Sequence, residues 1–229
     1  MTGPLTATLL LVAKAPVPGQ AKTRLTPPLT PHQSAALAAA ALLDTIDAVR
    51  LAAAGGRAVV ALTGDLSQAA ASAALGASLA GLTVVPQRGE TFAERLVHAH
   101  VDAAGQLGAT VQIGMDTPQV RAEQLRAAAD RVTTVDGPDA VLGLAEDGGW
   151  WALGLRRARD ARLLDGVPMS TPATGALTLA ALRQGGLRVE LLAMLRDVDD
   201  VTDIAPVAEA APGTRFAALA ATLAPVIAA

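Results

Sequence analysis

Short apolar runs rich in β-branched residues alternate with longer Ala-rich stretches along this chain. The clearest runs are ATLLLVA (7–13), RAVVALT (57–63), LTVVPQ (82–87), ATVQIGM (109–115) and LRVELLA (187–193). The stretches between them carry helix signals, such as the capping boxes that begin at Thr30 and Thr91. Strands that alternate with helices of this length predict an α/β fold, with a mostly parallel sheet covered by helices on both faces.

One segment breaks the alternation. AVLGLA (140–145) and WWALGL (150–155) follow one another with only a short loop between them. We expect them to add a strand pair of different orientation to the sheet. The sequence contains no linker and no internal repeat, so we expect one domain over residues 1–229.

Composition excludes several classes of function. The chain has 229 residues and a formal net charge of -3, which argues against a general nucleic-acid-binding protein. It has no cysteine, so disulfides, thiolate zinc sites and cysteine nucleophiles are excluded. The longest early apolar run has about eight residues, far short of a membrane span, and it does not resemble a signal peptide. We therefore expect a cytoplasmic protein.

The fold class predicts where a ligand binds. In open α/β sheets, ligands bind beyond the carboxyl ends of the strands. In this chain the rule selects three loops, which cover residues 14–25, 115–118 and 146–150.

The first of these loops, KAPVPGQAKTRL, is cationic. If residues 22–24 are extended, Lys22 and Arg24 point the same way, and with Lys14 and the backbone N–H groups around Gly19 they could bind a di- or triphosphate. The loop matches neither the P-loop nor the dinucleotide-binding glycine pattern. The alternative is a solvated basic loop.

Carboxylates follow two later strands. Asp116 lies in IGMDTPQV, where a parallel strand should end, and Thr117 and Pro118 could begin the next helix. In the late segment LRDVDDVTDI, an extended backbone would turn Asp197 and Asp199 to one side. An Mg²⁺ or Mn²⁺ ion held by Asp116 and one of these two would neutralise a diphosphate. The alternatives are a turn residue and a solvated acidic turn.

The segment LAEDGGWWALGL (144–155) is the third candidate. Gly148 and Gly149 would let the backbone approach a ligand closely. Strict alternation in the following strand would put Trp150 among small side chains, opposite Trp151, where it could be a platform for a sugar or a base. The alternative is that Trp150 only packs.

Together these segments resemble a known family. KAPVPGQAKTRL, QRGETFAERL, IGMDTPQV, AEDGGWWALGL and the late DVDD are similar to the DUF2064 family, which is often labelled as glycosyltransferases and associated in some genomes with arsenosugar biosynthesis. The resemblance extends from residue 7 to about residue 204. It implies a single-domain, Rossmann-like GT-A fold, that of the nucleotide-diphospho-sugar transferases. This chain departs from the family pattern at Met115, where a small residue is usual, and in its paired tryptophans.

The resemblance also implies residue roles. The residues at the nucleotide phosphates would be Lys14, Lys22 and Arg24. Asp116 would be the first carboxylate ligand of the metal, and Asp199 is the best match for the second ligand. Because DVDDVTD departs from the family pattern, Asp197 remains the alternative second ligand. Asp147, with Gly148 and Gly149, would contact the sugar or the acceptor, which makes Asp116 and Asp147 the candidate catalytic residues.

Three functions remain open at this point. The first is a transferase that uses a nucleotide-sugar donor, a small-molecule acceptor and Mg²⁺ or Mn²⁺. The second is a nucleotidyltransferase that releases pyrophosphate from a nucleoside triphosphate, because AKTRL also resembles the 2-phospholactate guanylyltransferases. The third is a non-catalytic protein that binds a nucleotide. The family resemblance favours the first.

Overall fold

A seven-stranded sheet runs through the middle of the structure, a computed structural model that describes residues 7–228. Its strands are β1 (Thr8–Lys14), β2 (Ala58–Thr63), β3 (Thr83–Pro86), β4 (Thr110–Ile113), β5 (Ala140–Leu144), β6 (Trp150–Leu155) and β7 (Val189–Leu191). Their order is β3-β2-β1-β4-β6-β5-β7. Among these strands only β6 runs antiparallel to its neighbours. The predicted α/β fold with a mostly parallel sheet is confirmed. The ends of the expected domain, residues 1–6 and 229, lie outside the described range.

Helices cover both faces of the sheet. They are α1 (Pro31–Ala52), α2 (Ser72–Leu79), α3 (Phe92–Ala104), α4 (Ala122–Thr133), α5 (Thr174–Gln184), α6 (Val201–Ala210) and α7 (Arg215–Ile227). The capping boxes predicted at Thr30 and Thr91 are present and begin α1 and α3. Short 3₁₀ segments lie at Thr23–Leu25, Leu66–Gln68 and Ala158–Leu164. None of the helices within residues 7–228 combines the length and the apolar character that crossing a bilayer requires.

The core has two main layers, one on each face of the sheet. Leu9 and Leu11 of β1 pack with residues of α1, α2 and α4, which we name the first face. Leu10 and Val12 alternate with them and pack with residues of α3 and α5, the second face. A third cluster joins α1 to α6 and α7 around Phe216. The helices therefore leave the carboxyl ends of the parallel strands available for a cleft.

The start of α4 differs from the prediction. Pro118 does not begin a helix: Val120 N–H donates to the Thr117 carbonyl in a separate turn, at 3.1 Å. The helix begins four residues later, at Ala122, and in the cap before it Arg121 N–H donates to Gln124 Oε1 at 2.9 Å. The buried hydroxyl of Thr117 has no hydrogen-bond partner within residues 7–228, so it does not cap the helix.

The predicted strict alternation along β6 is wrong, although Trp150 and Trp151 do lie on opposite faces of the sheet as expected. Across β5 and β6 the register slips after Gly143, so that an extra residue is inserted at Trp151. Trp151 and Ala152 consequently both pack on the first face, whereas Trp150 packs on the second face with Leu153. A side chain at Gly143 would collide with the Trp151 indole, so this glycine provides the space that the bulge needs.

A buried histidine on α3 should make the fold sensitive to acid. His100 is fully buried, and its Nδ1 lies 2.7 Å from Thr110 Oγ1. Burial lowers its pKa to about 4, below the value of about 6.5 expected in the unfolded chain. The unfolded state therefore takes up the proton first, and stability should fall as the pH drops from about 6.5 toward 4. We expect the titration of His100 to lower the free energy of unfolding by about 2–3 kcal/mol at pH 4.5, relative to pH 7.

Urea unfolding at pH 7 and pH 4.5 tests this expectation. His100→Gln should lose less stability on acidification than the wild type, whatever its stability at pH 7. Equal losses in the two proteins would show that His100 does not titrate in this range.

Candidate functional site

A cleft of about 940 Å³ opens at the carboxyl ends of β1 and β4. The three loops predicted to meet there all contribute to its lining. Lys14 ends β1 and residues 20–24 follow it, Asp116 follows β4, and Glu146, Asp147 and Gly149 precede Trp150, the first residue of β6. The late acidic segment, with Asp197 and Asp199, closes one side. The rule that ligands bind beyond these strand ends thus selects the main cleft of the described chain.

The basic loop adopts a different conformation from the one predicted. Lys22 is in the left-handed region, with φ 48° and ψ 45°, and a 3₁₀ turn follows at Thr23–Leu25, so residues 22–24 are not extended. The turn places Leu25 in the third apolar cluster, fully buried. Lys22 and Arg24 nevertheless converge on one carboxylate, because Lys22 Nζ lies 3.1 Å from Asp199 Oδ1 and Arg24 Nη1 lies 2.7 Å from Oδ2.

Lys22 lies at the centre of the site. Its Nζ also donates to Asp116 Oδ2 at 2.8 Å, and its side chain is 14% exposed. Burial by itself would favour the neutral amine, but the carboxylates of Asp116 and Asp199 outweigh it and raise the pKa of Lys22 above its ordinary value. Lys22 is therefore charged, and it joins the loops that follow β1 and β4 to the late acidic segment.

Three carboxylates come together beside Lys22. Asp116, Asp197 and Asp199 each offer one oxygen, and these oxygens all lie within 4.8 Å of one another. The sequence left open whether Asp197 or Asp199 is the second candidate metal ligand, and the structure places both of them with Asp116. Burial, followed by the nearby charges of Asp116 and Asp147, raises the pKa of Asp197 to about 7. Oxygen donors in this number suit a hard divalent cation such as Mg²⁺ or Mn²⁺.

Hydrogen bonds fix the late acidic segment in place. Val198 N–H donates to the Asp116 carbonyl at 3.1 Å, which anchors the segment to the end of β4. Asp203 Oδ2 accepts from the N–H groups of Asp199 and Asp200 at 2.9 and 2.8 Å. Asp200 caps α6, since its Oδ1 accepts from Thr202 N–H at 2.7 Å. These bonds hold the Asp199 carboxylate toward the basic loop.

The remaining predicted residues divide into two groups. Lys14 lines the cleft, and its Nζ donates to the Gln20 carbonyl at 2.8 Å. Asp147 also lines it and accepts from Gly149 N–H at 2.7 Å. Gly19 is not among the lining residues, and its φ of 76° makes it a turn glycine.

Gly148 has a packing role. It does not line the cleft, and a side chain there would collide with the Pro172 carbonyl. Its own carbonyl accepts from Gly175 N–H at 2.7 Å, so it seats the loop against the start of α5. Trp150 is half-buried and lines the cleft from the second face.

Polar residues beyond the predicted ones also line the cleft, among them Gln87, Arg95 and Gln112. Gln87 Nε2 donates to the carbonyls of Ala13 and Ala61, at 2.8 and 3.0 Å, and so joins β1 and β2 near the cleft. Residue-by-residue reasoning from the sequence did not place these side chains in the site. Gln87 and Arg95 belong to QRGETFAERL, and this motif was the only sequence signal for them. Gln112 lies within β4, and no sequence motif marks it.

A family model described as "Uncharacterized protein conserved in bacteria (DUF2064)" matches residues 45–171, more than half of the chain. The chain belongs to the DUF2064 family. The resemblance inferred from the sequence motifs is thereby confirmed. No curated protein matches this DUF2064 chain significantly in sequence.

Solved structures share the fold of this DUF2064 chain. A protein from Desulfovibrio desulfuricans G20, assigned as a nucleotide-diphospho-sugar transferase, is 24% identical with a TM-score of 0.81, over 98% of this chain and 97% of that one. A cytidylyltransferase from Leptospira borgpetersenii is 12% identical with a TM-score of 0.58, over 97% and 96%. Rv0371c from Mycobacterium tuberculosis H37Rv, in complex with manganese, is 22% identical with a TM-score of 0.51, over 88% and 98%. At these identities the likeness establishes a common fold.

Replacing Lys22 by methionine should destabilise the protein and make it dependent on metal. Lys22→Met leaves Asp116 and Asp199 facing one another without their shared cation, which we expect to cost about 1–3 kcal/mol. A divalent cation that binds the carboxylates would restore the lost stability, because a ligand that binds only the folded state stabilises that state. Thermal unfolding of both proteins, with and without Mn²⁺, measures this effect.

The double variant Lys22→Met/Asp116→Asn is the control. It removes one carboxylate of the facing pair, so it should regain part of the stability and respond less to Mn²⁺. A single variant that is as stable as the wild type, or that ignores Mn²⁺, would contradict the charge balance described for this site.

Proposed function

We propose that this protein is a transferase that uses a nucleotide-sugar donor and a divalent metal ion to glycosylate a small-molecule acceptor. One observation carries the proposal: Lys22 and Arg24 meet Asp116, Asp197 and Asp199 in a single cleft. Cations beside a carboxylate group of this kind suit a metal-bound diphosphate better than they suit an uncharged ligand. The assignment of the Desulfovibrio protein to the nucleotide-diphospho-sugar transferases supports the donor class.

The basic loop would bind the donor phosphates. Lys14 and Arg24 both line the cleft, and the side chain of Arg24 is 67% exposed, so its guanidinium can reach a ligand. As the diphosphate leaves, negative charge builds up on its oxygens, and cations fixed in advance stabilise that charge. Lys22, held between two carboxylates, keeps its charge throughout.

The carboxylates Asp116, Asp197 and Asp199 would hold the metal. When bound, Mg²⁺ or Mn²⁺ would neutralise the diphosphate leaving group. The manganese complex of Rv0371c supports an ion of this type in this fold. Because burial raises the pKa of Asp197 to about 7, a nearby cation would help this carboxylate to ionise fully at neutral pH.

Asp147 would act on the acceptor. It lies in the cleft beside Trp150, and Gly149 N–H orients its carboxylate. In the proposed reaction an acceptor hydroxyl attacks the anomeric carbon of the donor sugar, the bond to the diphosphate breaks, and Asp147 takes the hydroxyl proton. Residues 1–229 would form the single domain that performs these steps.

Nucleotidyl transfer is the second candidate. The likeness to the Leptospira cytidylyltransferase covers 97% of the chain, and the same cations and carboxylates could bind a nucleoside triphosphate. In that reaction an acceptor oxygen attacks the α-phosphate and pyrophosphate leaves. A protein that binds a nucleotide without turnover is the third candidate, although binding alone does not require three converging carboxylates.

The products separate these candidates. We expect the protein with Mn²⁺ to release a nucleoside diphosphate from a nucleotide-sugar, and to release no pyrophosphate from any nucleoside triphosphate. Chromatography of reactions with a panel of donors and an acceptor mixture detects both products. Pyrophosphate release would replace the first candidate by the second, and tight nucleotide binding without either product would favour the third.

Metal and nucleotide should bind cooperatively. A few carboxylates bind Mg²⁺ or Mn²⁺ weakly without phosphate ligands, so the nucleotide should bind at least about tenfold more tightly when Mn²⁺ is present. Asp116→Asn should abolish this gain and Asp199→Asn should reduce it. Calorimetric titration of a nucleoside diphosphate into each protein, with and without Mn²⁺, gives the coupling.

Asp136→Asn is the matched control for these variants. Asp136 is an exposed carboxylate that neither lines the cleft nor forms an ion pair with any residue from 7 to 228. The control should show the full wild-type coupling. A wild-type affinity that does not change with Mn²⁺ would exclude the proposed metal site.

A further inference from the structure

An exposed phenylalanine lines the cleft. Phe92, the first residue of α3, is 44% exposed. Of the large apolar side chains that are exposed within residues 7–228, Phe92 is the one that lines the cleft. An apolar ring that stays in contact with water costs free energy, and ligand sites are commonly lined by aromatic side chains. The position of this ring therefore indicates contact with a ligand.

The core of the protein does not account for Phe92. The residues that α3 buries form a separate stripe, which consists of Ala93, Leu96, Ala99, His100 and Ala103. Arg95, three residues after Phe92 and therefore on the same face of the helix, also lines the cleft. This face of the first turn of α3 is thus turned toward the cleft.

The loop before α3 holds Phe92 in place. The Gln87 amide bridges the carbonyls of β1 and β2, and its bond to Ala13 measures 2.8 Å. Gly89, with a φ of 129°, lies so close to α3 that a side chain there would collide with Glu94 Cβ. Thr91 Oγ1 accepts from Glu94 N–H at 3.1 Å and caps the helix. A ligand that contacts Phe92 would therefore not have to order the segment that carries it.

The same bonds locate Phe92 relative to the basic loop. Ala13, which Gln87 contacts, directly precedes Lys14, where the basic loop begins. β2 lies on one side of β1, whereas β4 and then β6 lie on the other. The loop that carries Phe92 is thus fixed on the β2 side of the cations, and Asp147 and Trp150 approach from the β6 side.

This arrangement matches the order of groups in a nucleotide-sugar, whose diphosphate joins the nucleoside to the sugar. With the diphosphate at the basic loop, the nucleoside and the sugar extend to opposite sides. The sugar belongs with Asp147, because the proton of an attacking hydroxyl needs a carboxylate nearby. A base, in contrast, stacks on an aromatic face without needing hydrogen bonds from it, and the Phe92 ring offers such a face.

We propose that Phe92 stacks on the base of the nucleotide and so sets the direction in which the donor lies, with its sugar toward Asp147 and Trp150. This inference rests on the nucleotide binding proposed above. It adds that a residue away from the phosphates and the metal contributes a distinct, base-dependent part of the affinity.

Ligands with and without a base test the proposal. Pyrophosphate, UDP, CDP, ADP and GDP are titrated calorimetrically into the full chain and into Phe92→Ala, in the presence of Mn²⁺. The nucleoside diphosphate that the wild type binds most tightly should bind to Phe92→Ala at least about fivefold more weakly. The affinity for pyrophosphate should stay the same, because it has no base.

Two further variants are controls. Phe92→Trp keeps an aromatic face and should retain the wild-type affinity for the nucleoside diphosphate. Leu107→Ala removes an apolar side chain that is 65% exposed and does not line the cleft, so it should change neither affinity. Thermal unfolding should give similar melting temperatures for Phe92→Ala and the wild type, because Phe92 lies outside the buried stripe of α3.

The inference is overturned if Phe92→Ala binds the nucleoside diphosphate as tightly as the wild type, or if it loses affinity for pyrophosphate to the same extent. A loss confined to the nucleoside diphosphates in Trp150→Ala, and absent from Phe92→Ala, would reverse the direction of the donor and overturn it too. In each of these cases nucleotide binding itself stands. If the wild type binds no nucleotide, the proposed function fails together with this inference.

Discussion

The ammonium group of Lys22, between Asp116 and Asp199, is the interaction on which the site depends. Its Nζ lies 2.8 Å from Asp116 Oδ2 and 3.1 Å from Asp199 Oδ1, although these two residues follow Lys22 by 94 and 177 positions in the chain. Without a cation at this point the carboxylates that follow β4 and precede α6 would repel one another, and the cleft would lose its shape. The largely buried Lys22 therefore stabilises the fold at the cleft itself.

The sheet explains why these groups meet. β1 and β4 are parallel neighbours, so their carboxyl ends lie side by side and bring the basic loop next to Asp116. β6 runs the other way, so its first residue, Trp150, reaches the same edge from the opposite direction. The bulge at Trp151 then turns Trp150 to the second face, beside the cleft floor rather than among the small residues of the strand.

The cleft has two chemically different sides. On one side, cations and carboxylates balance one another around Lys22, an arrangement that suits a metal and a diphosphate. On the other side, Arg95, Gln112 and Trp150 line the cleft. A transferase needs two substrates close together, and two such sides in a cleft of about 940 Å³ have room for both.

The sequence by itself determined the alternating strands and helices, the capping boxes at Thr30 and Thr91, and the loops that form the cleft, because these depend on local periodicity and on strand direction. Only the tertiary structure decided how the loops are shaped and which side chains meet. The burial of Leu25 turns residues 22–24 into a 3₁₀ segment, and the space at Gly143 allows the bulge at Trp151. Such features depend on packing between residues far apart in the chain, which no local pattern records.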